Sequence, residues 1–286
     1  MLSTYLLSLR EGLEAALIIG IVLGALSKIR RQDLKPAVWF GTFGAVAVSI
    51  LAAILLASFG MSLEGASEEI FEGITMLVAA GILTWMIFWM GKQARFLKGE
   101  LEAGVSKAAA SAGTLAVFWL AFLAVVREGV ELAIFITAAF FASNQSEPGG
   151  SVGLILAGTI LGLATAAILG WMLFKTTMRL NLRRFFQVTG ILLILFAAGL
   201  VAHGVHEFNE AGIIPAIIDP IWNVNAYLNE DSLLGLMLEA LFGYNGNPSL
   251  TEVLAYLSYL IIVSVLWMRS NLIPVKSATA PTQSQA

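Results

Sequence analysis

Residues 1–32 read MLSTYLLSLREGLEAALIIGIVLGALSKIRRQ, and Arg10, Glu11 and Glu14 are the only charged side chains in the first 27. Apart from those three, the run is long and apolar enough for a membrane-spanning helix, which needs about 20 residues. An arginine and two glutamates in such a helix are costly and therefore point to function. The pattern returns at 123–136 as LAVVREGVELAIFI, inside another apolar run.

The whole chain agrees with a membrane solvent. Of its 286 residues 58% are hydrophobic and 12% charged, with a mean hydropathy of +0.86; soluble domains carry about 25% charged residues. Hydropathy predicts an all-α polytopic membrane protein with seven spans, at 2–27, 37–60, 69–91, 113–142, 151–174, 186–206 and 252–268. The chain has no cysteine, which excludes disulfides, thiolate metal sites and cysteine catalysis. No basic region precedes the first apolar run and no small-residue cleavage site follows it, so it reads as a retained helix.

Charge placement gives the orientation. Lys28, Arg30, Arg31 and Lys35 follow the first span, Lys92, Arg95, Lys98 and Lys107 the third, Lys175, Arg179, Arg183 and Arg184 the fifth, and Arg269 and Lys276 the seventh. With Arg10 and Arg127 these are all sixteen basic residues. The positive-inside rule makes their loops cytoplasmic, with the N-terminus outside and the C-terminus inside. Glu64, Glu68, Glu69, Glu147, Glu207, Glu210, Asp219, Glu230, Asp231 and Glu239 fall on the other face, which holds no basic residue. An acidic vestibule over low-dielectric walls concentrates cations. The organisation expected is one permease domain over 1–270, with repeats at about 1–91 and 107–206, an outer loop at 207–250 and a seventh helix at 252–268. In the outer loop LLGLMLEALF is too short to span and predicts surface or re-entrant helices. The polar tail 271–286 is expected to be disordered and cytoplasmic.

The two motifs start 117 residues apart, at Arg10 and Arg127. Three spans per unit, an odd number, turn the second unit upside down relative to the first. This is an inverted repeat, whose transport site lies near the midplane at the repeat interface. Arg10 is about 15 Å below an outer edge set at Met1, and Arg127 is near the middle of its span. Glu11 and Glu14 share a helix face, as do Glu128 and Glu131, and each arginine can hold the glutamate four residues on. Gly12 and Gly129 remove side chains where the two motif helices would approach closely. Four carboxylates and two arginines total −2 if all are ionised, and the guest expected is a divalent or trivalent cation. Carboxylate oxygens suit calcium, magnesium, manganese or iron. A salt-bridge network that merely pins helices is the competing reading of one motif alone; two inverted copies, each with a surplus carboxylate, favour a cation site.

With REGLE at 10–14 and REGVE at 127–131, the sequence resembles the oxidase-dependent, high-affinity iron permease family of fungal plasma membranes and bacterial inner membranes. Its hallmark is this pair of motifs in the first and fourth of seven helices. Similarity extends over FEGITMLVAAGILTWMIFWM at 71–90, AAGLVAHGVHEFNEAGIIP at 197–215 and LFGYNGNPSLTEVLAYLSYL at 241–260. The cysteine-free, short-looped form looks like the bacterial branch, a ferrous-iron uptake permease. The resemblance implies iron as transported substrate, no cofactor, and as partners a periplasmic iron-binding protein and a haem peroxidase or other oxidase.

A second group of ligand types lies at the outer ends of spans three and six. His203, His206 and Glu207 share a helix face, and Glu69 and Glu72 repeat the three-residue carboxylate spacing. Imidazole with carboxylate suits ferrous iron, as an outer loading site; the plainer reading is that the histidines meet lipid headgroups. Glu72 is the deeper carboxylate, and Glu68 is expected to be solvated. Trp85 and Trp89 fit an interfacial aromatic belt, and Met76, Met86 and Met90 fit lipid or core packing. There is no phosphate loop, and no feature points to nucleic acid. Two rival functions remain: a secondary transporter of another divalent cation such as manganese, or of an amine, with proton-carrying carboxylates, and a membrane-embedded metal hydrolase. The hydrolase calls for a buried His-rich ligand set, whereas both histidines sit at the outer edge, so an enzyme is not expected.

Overall fold

The computed structural model describes residues 1–93, 97–111, 113–144, 151–175, 182–229, 232, 234, 235, 238 and 242–272. Among the described residues there are eight helices of fifteen or more residues and no strand. They are α1 (Leu2–Lys28), α2 (Lys35–Gly60), α3 (Ala66–Gln93), α4 (Leu97–Ser111), α5 (Thr114–Asn144), α6 (Ser151–Lys175), α7 (Leu182–Glu210) and α8 (Leu250–Leu272). Five of them (α2, α3, α6, α7 and α8) are long and apolar enough to cross a membrane by length and composition. The other two segments read as spans are α1 and α5, of 27 and 31 residues, which carry the motif charges.

The helix α4 is a difference from the sequence reading, which gave 92–112 only as a basic connection. Its apolar positions Leu101, Val105, Ala108 and Ala109 follow helical spacing and pack with Ala25 and Leu26 of α1 and Val117 of α5. Outside that contact, Lys28 pairs with Glu102 at 3.6 Å and Arg31 donates to the Ala109 carbonyl at 3.2 Å.

Small residues decide which long helices meet. Thr4, Ser8, Gly12, Ala16 and Gly20 recur every four residues along α1, opposite Gly158, Gly162, Ala166 and Gly170 on α6. A Cβ on Gly162 would lie 2.8 Å from Ser8 Cβ, and one on Gly170 2.7 Å from Ala16 Cβ, so the backbones are at contact distance. The matched positions rise together, so α1 and α6 run parallel. On the other side α2 and α5 also run parallel, with Gly41 against Phe118 and Ala121 and Ser49 against Gly129. In contrast α3 and α7 run antiparallel: Gly73 meets Gly204, while Gly190 faces Ile87. Exchanging α1 with α5, α2 with α6 and α3 with α7 maps this set of pairings onto itself.

The largest core cluster joins α3, α5 and α7 through Met76, Leu83, Phe135, Leu193 and Phe196. Against it lies α8, whose Tyr259 shares a hydrogen bond of 2.6 Å with Thr84 of α3. The chain between α7 and α8 is mostly turns among the described residues, so the helix expected near 233–242 lies largely outside them. Its ends are tied together: Ile221 N–H donates to the Pro248 carbonyl and Leu250 N–H to Ile218, both at 2.9 Å. Gly243, at φ +65°, touches Gly199, where a Cβ would come 2.6 Å from Gly243 Cα. Gly199 is eleven residues before the end of α7, so the segment dips about 16 Å beside that helix. Of the tail expected to be disordered, residues 273–286 lie outside the described residues.

Candidate cation site

Each motif sits inside a long helix, and its charges other than Arg127 face mostly protein. Arg10, Glu11, Glu14 and Glu128 are all buried. Because α1 is parallel to α6, and α5 precedes α6 by six residues, α1 and α5 are antiparallel. Each arginine precedes its own glutamates, and helical side chains lean toward the N-terminus. The two arginines therefore flank the carboxylates from opposite sides.

Glu11 of α1 and Glu128 and Glu131 of α5 bring one oxygen each within 4.8 Å of one another. A single hard cation fits that spacing, since metal–oxygen bonds of about 2.0–2.6 Å set opposed ligand oxygens about 4–5 Å apart. Among the described residues it is the one such group. Both Glu11 oxygens, Glu128 Oε2 and Glu131 Oε2 are buried and accept no hydrogen bond. Carboxylate oxygens in that state are costly unless a charge compensates them. The fourth carboxylate, Glu14, stands outside the trio and faces Arg10, Nε to Oε1, at 3.3 Å, an ion pair without hydrogen-bond geometry.

The second arginine is placed differently. Arg127 Nε donates to Glu131 Oε1 at 3.1 Å and lies 3.7 Å from Glu128 Oε1. Its guanidinium also sits 4.7 Å from the centre of the Trp89 ring, a cation–π distance. Trp89 in turn stacks on Trp85, with ring centres 5.8 Å apart. The sequence assigned Trp89 only to an aromatic belt; nothing in local spacing links a residue of α3 to Arg127. The motif glycines differ from expectation as well. Gly12 packs on Ala166 and Leu163 of α6 and Gly129 on Ser49 of α2, so neither mediates contact between the motif helices themselves.

Where α3 begins and α7 ends, the two helices bring Glu72 close enough to Glu207, Glu68, Glu210 and Glu69 for their charges to interact. His203 is buried, with Nδ1 2.9 Å from the Gly199 carbonyl. His206 lies between two carboxylates, Nδ1 at 3.0 Å from Glu252 Oε1 and Nε2 at 3.2 Å from Glu210 Oε1. Glu252 is the residue the sequence did not single out. It is buried at the start of α8, and also accepts from Asn245 at 2.9 Å and from Ser249 N–H at 3.0 Å. Among the described residues, no three of Glu69, Glu72, His203, His206 and Glu207 converge as closely as the inner trio.

The iron permease FTR1 family matches residues 1–275, from the start of α1 to beyond α8. The chain is 37% identical over 278 residues to the ferrous iron permease EfeU of Escherichia coli O6:K15:H31, covering 96% of this chain and 97% of that protein. It is 35% identical over 265 residues to the ferrous iron permease EfeU of Yersinia pestis, covering 92% of each. No solved structure matches it. Permeases of this kind are transporters rather than enzymes, and the five apolar helices make the chain a multi-pass integral membrane protein. A match that takes in both motif helices and everything between and around them leaves one assignment: the chain belongs to the iron permease FTR1 family.

Proposed function

We propose that this chain carries ferrous iron into the cytoplasm across a bacterial inner membrane, through the carboxylates of Glu11, Glu14, Glu128 and Glu131. The observation that carries the reading is the trio of ligand oxygens within 4.8 Å, drawn from two helices, with both Glu11 oxygens and one oxygen each of Glu128 and Glu131 buried and accepting no hydrogen bond. Arg10 and Arg127 lower the cost of keeping those charges out of water. The membrane arrangement that goes with it is seven spans, α1–α3 and α5–α8, with α4 on the cytoplasmic side and the N-terminus outside. Two inverted units, α1–α3 and α5–α7, place the site at their interface. The pairing of α1 with α6 and α5 with α2 supports that symmetry, as do motif glycines that each pack on the second helix of the other unit. Glu69, Glu72, His203, His206 and Glu207 act as an outer loading region, and a periplasmic iron-binding protein and a haem peroxidase or other oxidase act as partners.

The test is initial iron-55 uptake in cells lacking other iron importers, with ferrous and ferric iron supplied separately and manganese as competitor. A Glu11→Gln, Glu128→Gln variant keeps volume, removes two charges and two anionic ligands, and should abolish uptake while still reaching the membrane. Near-parental uptake by that variant refutes the site. Uptake of manganese in preference to iron refutes the substrate.

A further inference from the structure

We propose that Trp89 positions Arg127 as a tethered counter-ion on the cytoplasmic side of the carboxylates, where it competes with the bound cation and hastens its release. This rests on the carboxylate reading and orientation given above. Arg127 engages the same two glutamates, Glu128 and Glu131, that supply two of the three converging oxygens. The guanidinium and the metal therefore want the same ligands. Arg127 shows 39% of its side chain to the surroundings, whereas Arg10 shows 1%. One of the two flanking arginines has room to move aside and the other has none.

The Trp89 ring lies 4.7 Å from the guanidinium in the same pose that bonds Glu131, so it favours the arginine-bound state of the carboxylates over the arginine-free one. With Trp89 present the guanidinium stays within one side-chain swing of the carboxylates and re-enters as the ion leaves. Symmetry does not provide the same device on the other side. The residue 117 positions after Trp89 is His206, which is held by Glu252 and Glu210 instead. The release step is thus assigned to one end of the site.

Losing the ring frees Arg127 to leave the site, so the carboxylates hold the ion more tightly and let it go more slowly. A cation–π contact of about 1 kcal/mol corresponds to about a fivefold change in affinity. The experiment is anaerobic equilibrium binding of iron-55(II) to the purified full-length protein in detergent, with initial uptake into proteoliposomes in parallel. Trp89→Leu should lower the dissociation constant about fivefold and lower the maximal rate by a similar factor. Trp89→Phe keeps an aromatic face and should stay within about twofold of the parent. Trp85→Leu, which disturbs the same stack but not Arg127, should bind as the parent does. Tighter binding combined with slower transport is not what general damage produces. If Trp89→Leu binds as the parent or more weakly, or if Trp89→Phe is equally impaired, the proposal is wrong. Should Trp89→Leu fail to fold, Trp89→Met is judged by the same two outcomes. A parent that binds no iron(II), or a Glu11→Gln, Glu128→Gln variant that still binds it, refutes the carboxylate site itself; loss of binding there with no effect at Trp89 refutes only this role.

Discussion

Gly162 is a position on the α1–α6 contact where one methyl group should be costly. Built onto the backbone, its Cβ lies 2.5 Å from the Tyr5 carbonyl oxygen, 2.8 Å from Ser8 Cβ and 2.9 Å from Leu9 N. Two of these three neighbours are backbone atoms, which cannot rotate away. Restoring ordinary contact at about 3.4 Å means moving α1 off α6 by roughly 0.5–0.9 Å. Overpacking of this kind costs about 1–3 kcal/mol, and alanine returns up to about 1 kcal/mol of helix propensity. The net loss expected for Gly162→Ala is about 1–2 kcal/mol, or about 2–8 °C in Tm by the scaling for a chain of this size class. The same displacement moves Glu11, one turn from Ser8, out of its trio with Glu128 and Glu131. Misplacing a working group by about 1 Å can cost about a hundredfold, so uptake should fall by about 10- to 100-fold. Gly24→Ala is the control: it is on α1, the helix that Gly162 faces, with nothing within 4 Å of the added Cβ. Thermal unfolding of the detergent-solubilised protein and iron uptake in cells measure both effects. If Gly162→Ala matches Gly24→Ala in stability and uptake, close α1–α6 packing does not set the geometry of the site.

Glu252→Ala should loosen the outer segment, because it strands His206, Asn245 and the Ser249 amide. Limited proteolysis within 211–249 should then be faster, with a stability loss of about 1–3 kcal/mol; an unchanged digestion pattern would count against the latch. Replacing His203 and Glu207 by Gln should raise the half-saturating iron concentration while sparing the maximal rate, since excess iron substitutes for local capture. A fall in maximal rate with no change in half-saturation would remove them from a loading role. A reporter fused at the C-terminus should be active only if it works in the cytoplasm, and periplasmic activity would overturn the orientation.

The sequence disclosed the inner carboxylates because their signal is intrinsic: charge inside an apolar helix, doubled at a fixed separation. It also disclosed the long helices, since apolar length alone marks them. The helix α4 was hidden because Lys98 and Lys107 read as part of a basic connection, although Leu101, Val105, Ala108 and Ala109 already had helical spacing. Partners distant in sequence were not legible. His206 and Glu252 are 46 residues apart across the outer segment, and Trp89 faces Arg127 only because α3 packs on α5. Gly12 and Gly129 announced close contact, but a missing side chain carries no information about which helix fills the space.

The outer segment that reaches Gly199 also dictates an order of biogenesis. The translocon delivers α7 first, then residues 211–249, and α8 last. Until α8 arrives, Ile218 has no Leu250 amide to accept from, and Asn209 lacks Ser249 and Thr251, to which it donates at 3.1 Å each. Irregular backbone at membrane depth is tolerated only where protein satisfies its polar groups, so the nascent segment must wait at the outer surface. Arrival of α8 supplies those partners while Gly243 settles against Gly199. Quality control of the newly made permease would then fall on its last helix: in the orientation proposed above, a chain stalled before residue 250 lacks these ties to α8 and should be cut faster by periplasmic proteases than a completed chain.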